Sequence, residues 1–255
     1  RADGQISTQE ALDLERDLVH QLNTGVGARD GGFGFMPYTD CPHLSKEQRE
    51  AVERTLDSRD EVTVLRGRAG TGKTQTLSTL IEGVTRYGTK VACFALSTQA
   101  VEILQRDGAA QASTGHVSAG AVLQSAATVQ RLLVDPALQR SLRHEVVIVD
   151  EYGLLSTRQL KELVDITSAQ KARLLLVGDS AQHKSVEAGD AARIIEKESR
   201  VRVVTLNEVH RQAANPAPRP RSIRAQVADT LQYMDRHYAT EVTHAELAAA
   251  AGMSG

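Results

Sequence analysis

Glu61-Val62-Thr63-Val64-Leu65-Arg66, followed at once by Gly67-Arg68-Ala69-Gly70-Thr71-Gly72-Lys73-Thr74, decides the fold of this chain. The first six residues form an apolar, β-branched run that reads as a buried strand. The next eight are a complete G-x-x-x-x-G-K-[ST] loop. Glycines let the backbone turn, and a helix is expected from about Lys73. Successive backbone N–H groups then converge on one concavity, aided by the positive end of the helix. Gly67, Gly70, Thr71 and Gly72 would line a phosphate cradle. Lys73 would reach the β- and γ-phosphates of ATP, and the Thr74 hydroxyl would ligate Mg²⁺. A chance glycine-rich turn is the competing reading; the strand before and the helix after weigh against it.

Outward from this loop an alternation appears. Strands are expected at 61–66, 91–96, 146–149, 173–177 and 201–204, and helices at 73–86, 98–106, 157–168 and 188–198. Continuous apolar strands separated by helices predict an α/β fold, a parallel sheet with helices on both faces. Upstream, 7–22 reads as a helix with Ser7 and Glu10 as a capping box, and a second helix starts at Ser45 with Gln48 in its first turn. Residues 25–38 are rich in glycine and are expected to be a mobile loop. The segment 108–145 is less regular, with a short helix near 128–133 and a turn at Asp135-Pro136.

Bulk composition narrows the partners. The 255 residues are 41% hydrophobic and 24% charged, as in soluble globular proteins, and aromatics are 3%, so the core must be aliphatic. A net charge of −2 means that any nucleic-acid contact must be local. Two cysteines, Cys41 and Cys93, are too few for a disulfide scaffold, and Cys93 in its apolar strand reads as a buried thiol. No apolar run approaches membrane-spanning length and no signal peptide is visible, so a cytoplasmic protein is expected. The chain opens on Arg1 rather than Met, as a fragment or processed piece would.

A phosphate loop needs a partner carboxylate. Val146-Val147-Ile148-Val149 ends in Asp150-Glu151, where Asp150 can hold Mg²⁺ and Glu151 can polarise the water attacking the γ-phosphate. In this sheet type that strand end is expected beside the loop. At the next strand end, Gln182 offers an amide for a phosphate oxygen and the attacking water. Arg211, after the last strand, can present a planar cation to the γ-phosphate. Singly, each of these three features is ordinary strand-end or surface chemistry. The histidines, His43, His116, His144, His183 and His210 among them, look scattered and form no ligand cluster.

Taken in order, these segments resemble the first RecA-like lobe of superfamily 1 DNA helicases, within them the RecD-like branch and the helicase part of MobF-type conjugative relaxases. Leu44-Ser45-Lys46-Glu47-Gln48 resembles the Q motif, which implies that Gln48 reads adenine. Residues 67–74 are motif I, and Asp150-Glu151-Tyr152-Gly153-Leu154-Leu155-Ser156 resembles motif II. Gly178-Asp179-Ser180-Ala181-Gln182 resembles motif III, and Leu206-Asn207-Glu208-Val209-His210-Arg211-Gln212 resembles motif IV. The resemblance covers about 5–213 and implies ATP and Mg²⁺ as cofactors and single-stranded DNA as partner. It also implies relaxosome or conjugation proteins as further partners.

Ala95-Leu96-Ser97-Thr98-Gln99-Ala100 stands where motif Ia is expected, with Leu96 at a usual proline position. Ala127-Thr128-Val129-Gln130-Arg131-Leu132-Leu133 resembles a second DNA-contacting motif, with Gln130 at a common histidine position. Ser97, Thr98, Thr128 and Gln130 are therefore candidate contacts to the DNA backbone. Helix capping is an equal role for Ser97, Thr98 and Thr128, and the two roles are compatible.

The expected organisation is an N-terminal helical and loop segment at 1–43, a RecA-like ATPase lobe at 44–213, a proline-rich linker at 214–222, and a small helical tail at 223–255. The tail, with helices at 222–237 and 243–251, resembles the start of an AraC-type helix-turn-helix domain, ending where a recognition helix would begin. Nothing after Gln212 resembles a second RecA-like lobe. The expected activity is ATP hydrolysis, weak in this chain alone. The alternatives are a nucleotide-dependent binding module and a helicase segment fused to a regulator segment without function.

Overall fold

A computed structural model describes residues 9–36, 41–68, 70–179 and 191–208. The chain divides into two units, Arg1–His210 and Arg211–Gly255, and the second lies outside the described residues. The linker and tail expected at 214–255 therefore fall outside them too, as do Ser7, Gln182 and Arg211.

Among the described residues there are six strands, β1 (Val62–Gly67), β2 (Val91–Ala95), β3 (Ala127–Thr128), β4 (Val146–Asp150), β5 (Arg173–Gly178) and β6 (Arg202–Leu206). They form one sheet in the order β3-β2-β4-β5-β1-β6, every pairing parallel. The helices are α1 (Gln9–Thr24), α2 (Lys46–Leu56), α3 (Lys73–Thr85), α4 (Thr98–Ser113), α5 (Val117–Gln124), α6 (Val129–Val134), α7 (Pro136–Ser141), α8 (Thr157–Ala169) and α9 (Ala191–Arg193). α9 runs on into a π-helical segment, Ile194–Glu198, closed by Ser199 N–H donating to the Ile194 carbonyl at 3.0 Å.

The continuous apolar strands divide their side chains between two cores. Val146 and Ile148 of β4, with Leu175 and Val177 of β5, pack under α2, α3, α4 and α5. Val147, Val149, Leu174 and Leu176 point the other way, against α1, α8 and the segment after residue 191. This two-sided burial is why the strands read as unbroken hydrophobic runs rather than alternating ones.

Three local expectations are corrected. α4 does not stop near residue 106 but continues through Gly108, because a Cβ there would lie 2.8 Å from Leu123 Cβ and 2.9 Å from the Gly120 carbonyl of α5. The glycine serves a close helix crossing rather than a break. Asp135-Pro136 is a helix start, not a turn: Asp135 accepts the Ala137 and Leu138 N–H groups while proline occupies the first helical position of α7.

The segment at 25–36, expected to be a mobile loop, is a strap across the N-terminal ends of β1 and β5. Gly27 N–H donates to Asp60 Oδ1 at 2.8 Å, Arg29 N–H to the Arg59 carbonyl at 3.0 Å and Phe33 N–H to the Leu56 carbonyl at 2.6 Å. The Arg173 guanidinium donates to the Ser58 and Gly31 carbonyls and lies 5.0 Å from the centre of the Phe33 ring. The glycines permit this backbone to lie flat on the protein: a Cβ on Gly32 would sit 2.2 Å from the Leu56 carbonyl oxygen.

Candidate active site

The phosphate loop begins where β1 ends. Gly72 is the N-cap of α3 and has φ 75°, a left-handed conformation that glycine adopts without strain. It offers no side-chain cap, so the first N–H groups of α3 remain available to an anion. Thr71 is buried, and its hydroxyl donates to the Arg68 carbonyl at 2.9 Å, tightening the loop on itself. Lys73 Nζ donates to the Gly67 carbonyl at 2.7 Å, which holds the ammonium over the loop. Thr74 is exposed on the first turn of α3.

Gln48 supports the loop from below. Ser45 and Gln48 form a reciprocal capping box at the start of α2: Gln48 N–H donates to Ser45 Oγ at 3.2 Å and Ser45 N–H to Gln48 Oε1 at 2.9 Å. Gln48 Nε2 then donates to the Thr71 carbonyl at 3.0 Å. The side chain is 3% exposed. Its amide is thus engaged at both ends by the protein, with one N–H and one lone pair to spare.

The adjacent residue extends this bracket. Glu47 accepts the backbone N–H groups of Asn207 and Glu208 at 2.7 and 2.8 Å. One helical turn therefore holds both the phosphate loop and the chain leaving β6.

Asp150 ends β4, and the sheet order inserts β5 between it and β1. The carboxylate strand is thus one strand removed from the loop strand, while Asp150 itself lies close enough to the loop to feel the Lys73 charge. Asp150 registers with Val177, and Arg66 with Gly178, so both ends finish at the same level. Two strand spacings put them about 9–10 Å apart, enough to admit a phosphoryl group rather than close into an ion pair.

Burial raises the Asp150 carboxyl to about 6. The Glu151 backbone N–H, donated to Asp150 Oδ1 at 3.0 Å, opposes that rise, as does the charge of Lys73, while Glu151 and Asp107 reinforce it. A partly desolvated carboxylate among other carboxylates is a poor place for a bare negative charge and a good one for a cation. Together with the uncapped start of α3, this donor set fits a magnesium-bound polyphosphate. Asp107, on α4, had no local motif to reveal it.

Glu151 is exposed and stands at φ 60°, ψ 38°, a left-handed conformation rare for a residue with a Cβ. A 3₁₀ turn, Tyr152–Leu154, follows, and Ser156 caps α8 with Gln159 in a second capping box.

The candidate DNA contacts fall together. β2 and β3 pair through Phe94 with Ala127 and Ala95 with Thr128, so Ser97 and Thr98 lie next to Thr128 and Gln130 at the sheet edge. Ser97 Oγ accepts Ala100 N–H and Thr128 Oγ1 accepts Arg131 N–H, so both hydroxyls cap helices. Thr98 and Gln130 are exposed.

The histidines are less scattered than their sequence positions suggest. The His43 and His116 rings are 5.3 Å apart, and His116 Nδ1 lies 2.8 Å from Glu82 of α3. Among the described residues, no group of His, Cys, Asp and Glu forms a metal cluster. Cys93 is buried, and burial pushes its thiol far up. No helix of the described residues is long and apolar enough to cross a membrane.

The family model described as an AAA domain matches residues 43–245, from the residue before Leu44 to well past the last strand. The chain belongs to the AAA domain family. Relatives place this AAA domain with the RecD-like and relaxase-type lobes. "Probable conjugal transfer protein TraA" of Sinorhizobium fredii is 30% identical over 219 residues, 83% of this chain and 18% of TraA. "RecBCD enzyme subunit RecD" of Mycobacterium tuberculosis is 34% identical over 161 residues, 56% of this chain and 27% of RecD. The AAA domain thus spans under a third of the length of either relative. The family match and the parallel sheet make it a P-loop NTPase domain.

Proposed function

We propose that this domain binds ATP with Mg²⁺ and hydrolyses the γ-phosphate, and that a larger protein couples the reaction to movement on single-stranded DNA. One observation carries the reading: the uncapped start of α3, with Lys73, faces the desolvated Asp150 and the strained Glu151 across a gap one strand wide. Backbone N–H groups of residues 67–74 cradle the phosphates, and the Lys73 ammonium offsets charge on the β- and γ-groups. Thr74 and Asp150 would hold Mg²⁺, which supplies neutralisation of phosphate charge. Glu151, exposed at the strand end, accepts a proton from the attacking water. Gln48 holds Thr71 in place, and its remaining N–H is what an adenine contact would use. Gln182 and Arg211 complete the proposal as γ-phosphate contacts, and Ser97, Thr98, Thr128 and Gln130 as contacts to the DNA backbone. A relaxosome or other conjugation assembly is the proposed setting, because TraA relatives are named for conjugal transfer.

The test is a labelled-ATP binding and hydrolysis assay with and without single-stranded DNA. Lys73→Ala is expected to lose binding, and Glu151→Gln to bind without cleaving. Binding and turnover of Lys73→Ala equal to the parent would refute the site. Strong DNA-stimulated turnover by the 255-residue chain alone would refute the expectation that its own turnover is weak.

A further inference from the structure

A partly buried polar network ties together the two proposed catalytic strand ends and is used by none of the roles above. Its centre is Glu196, in the π-helical segment Ile194–Glu198. Glu196 Oε1 accepts the Tyr152 hydroxyl at 2.5 Å, and Oε2 accepts Arg66 Nη1 at 2.7 Å. Arg66 Nη2 donates in turn to Thr205 Oγ1 of β6 at 3.3 Å. Tyr152 is wholly buried, and the Glu196 side chain is 15% exposed.

Each partner belongs to a different part of the site. Tyr152 follows Glu151 in sequence. Arg66 precedes Gly67, the first residue of the phosphate loop. Thr205 sits near the end of β6, the strand that leads toward Arg211. A single carboxylate therefore joins the β4 and β1 ends, and through Arg66 the β6 end, across the interposed β5.

The network bears on Glu151 in particular. Its left-handed backbone is disfavoured for a residue that carries a Cβ and needs outside support to persist. Support comes from two sides. Gly178, at the end of β5, lets that strand press against the turn: a Cβ there would meet Tyr152 Cδ1 and N at 3.1 Å and Glu151 Cα at 3.2 Å. From the other side, the charge-assisted bond to Glu196 pins the Tyr152 ring, and charge-assisted bonds are about twice as strong as neutral ones. A π segment adds a residue to a turn and changes which side chains face inward, and such segments recur at functional sites.

We propose that Glu196 is a positioning residue for hydrolysis: through Tyr152 it holds Glu151 in its strained orientation, and through Arg66 it fixes the spacing between Glu151 and the phosphate loop. This rests on the reading of Glu151 as the group that acts on the attacking water.

The test uses the 255-residue chain with Tyr152→Phe, Glu196→Gln and Glu196→Ala. Three quantities are measured: amide hydrogen exchange of residues 151–155, affinity for a fluorescent ATP analogue, and the rate of phosphate release from labelled ATP in single turnover with protein in excess, which reads the weak turnover expected of this chain. In Tyr152→Phe and Glu196→Ala, exchange at 151–155 should rise about tenfold or more. Phosphate release should fall by a similar factor, while affinity stays within about threefold of the parent, since the loop supplies most of the binding. Glu196→Gln, which keeps one acceptor, should fall between the parent and these two variants. A merely structural role would lower affinity and release together. Parallel loss of both, or unchanged exchange at 151–155 in Tyr152→Phe and Glu196→Gln, would overturn the proposal. If the parent itself fails to bind the analogue, the proposed function fails instead, and the exchange measurement still decides whether Glu196 holds the Glu151 turn.

Discussion

Asp150→Asn should make this protein more stable at neutral pH while weakening its hold on magnesium and nucleotide. Asparagine keeps the size of the side chain and an oxygen to accept the Glu151 N–H, so packing changes little. What it removes is a charge that the fold disfavours. Burial, Glu151 and Asp107 together raise this carboxyl from 3.8 to about 6. At about 1.36 kcal/mol per pH unit, the ionised form then costs the native state about 3 kcal/mol. The sign follows from proton linkage. Below pH 3.8 the group is neutral in both folded and unfolded chains, and the penalty is absent. As pH rises, the unfolded chain releases its proton first, so stability is lost progressively until about pH 6 and stays lost above it. Urea unfolding at pH 7.5 should place the Asp150→Asn midpoint about 1 M above the parent. At pH 5 only about half of the free-energy gap should remain. A variant no more stable than the parent at pH 7.5, or a gap that does not shrink toward pH 5, would refute the electrostatic account of this site.

Gln48→Ala strips partners from the Thr71 carbonyl and the Ser45 N–H; it should cost about 1–3 kcal/mol in thermal unfolding and weaken nucleotide binding. Gly72→Ala must hold a Cβ at φ 75°, 2.2 Å from Gln48 Nε2, so nucleotide affinity should fall by about tenfold or more. Because that clash vanishes without the Gln48 amide, the double variant should lose less than the sum of the singles, and strict additivity would show that the two residues do not touch functionally. Arg173→Leu removes the donations to Ser58 and Gly31 and the contact with Phe33. Hydrogen exchange should quicken across 29–34 with nucleotide affinity unchanged, because the strap lies at the opposite end of the sheet; an affinity loss would count against that separation.

The parallel sheet and the phosphate loop were legible because their signals are local. Buried strands announce themselves as apolar runs, and the loop needs glycine and lysine at fixed offsets. Asp150-Glu151 was legible for the same reason, as carboxylates ending such a run. Gln48 was visible only through the resemblance of 44–48 to the Q motif; the capping box it forms with Ser45 and the brace it gives Thr71 come from the structure. Glu196 was not legible. Its partners Arg66 and Tyr152 are far away in sequence, and an isolated glutamate in a helical stretch carries no mark of burial. Asp107 was hidden likewise, and the order β4-β5-β1 cannot be inferred from strands that all look alike. The strap at 25–36 was misread because glycine there permits close packing, the opposite of the mobility that glycine-rich composition usually signals.

The sheet order also sets a timetable. β1 precedes the other five strands, yet it pairs only with β5 and β6, through contacts such as Val62 with Leu174 and Thr63 with Arg202. More than a hundred residues must be made before the first of these partners exists. At ordinary synthesis rates of about 5–20 residues per second, the strand bearing the phosphate loop waits about 5–20 s without a neighbour on either edge. The phosphate loop, made early in the chain, is therefore among the last parts to become a site, and a ribosome-bound chain ending before Arg202 would carry its nucleotide motif on an unfinished edge.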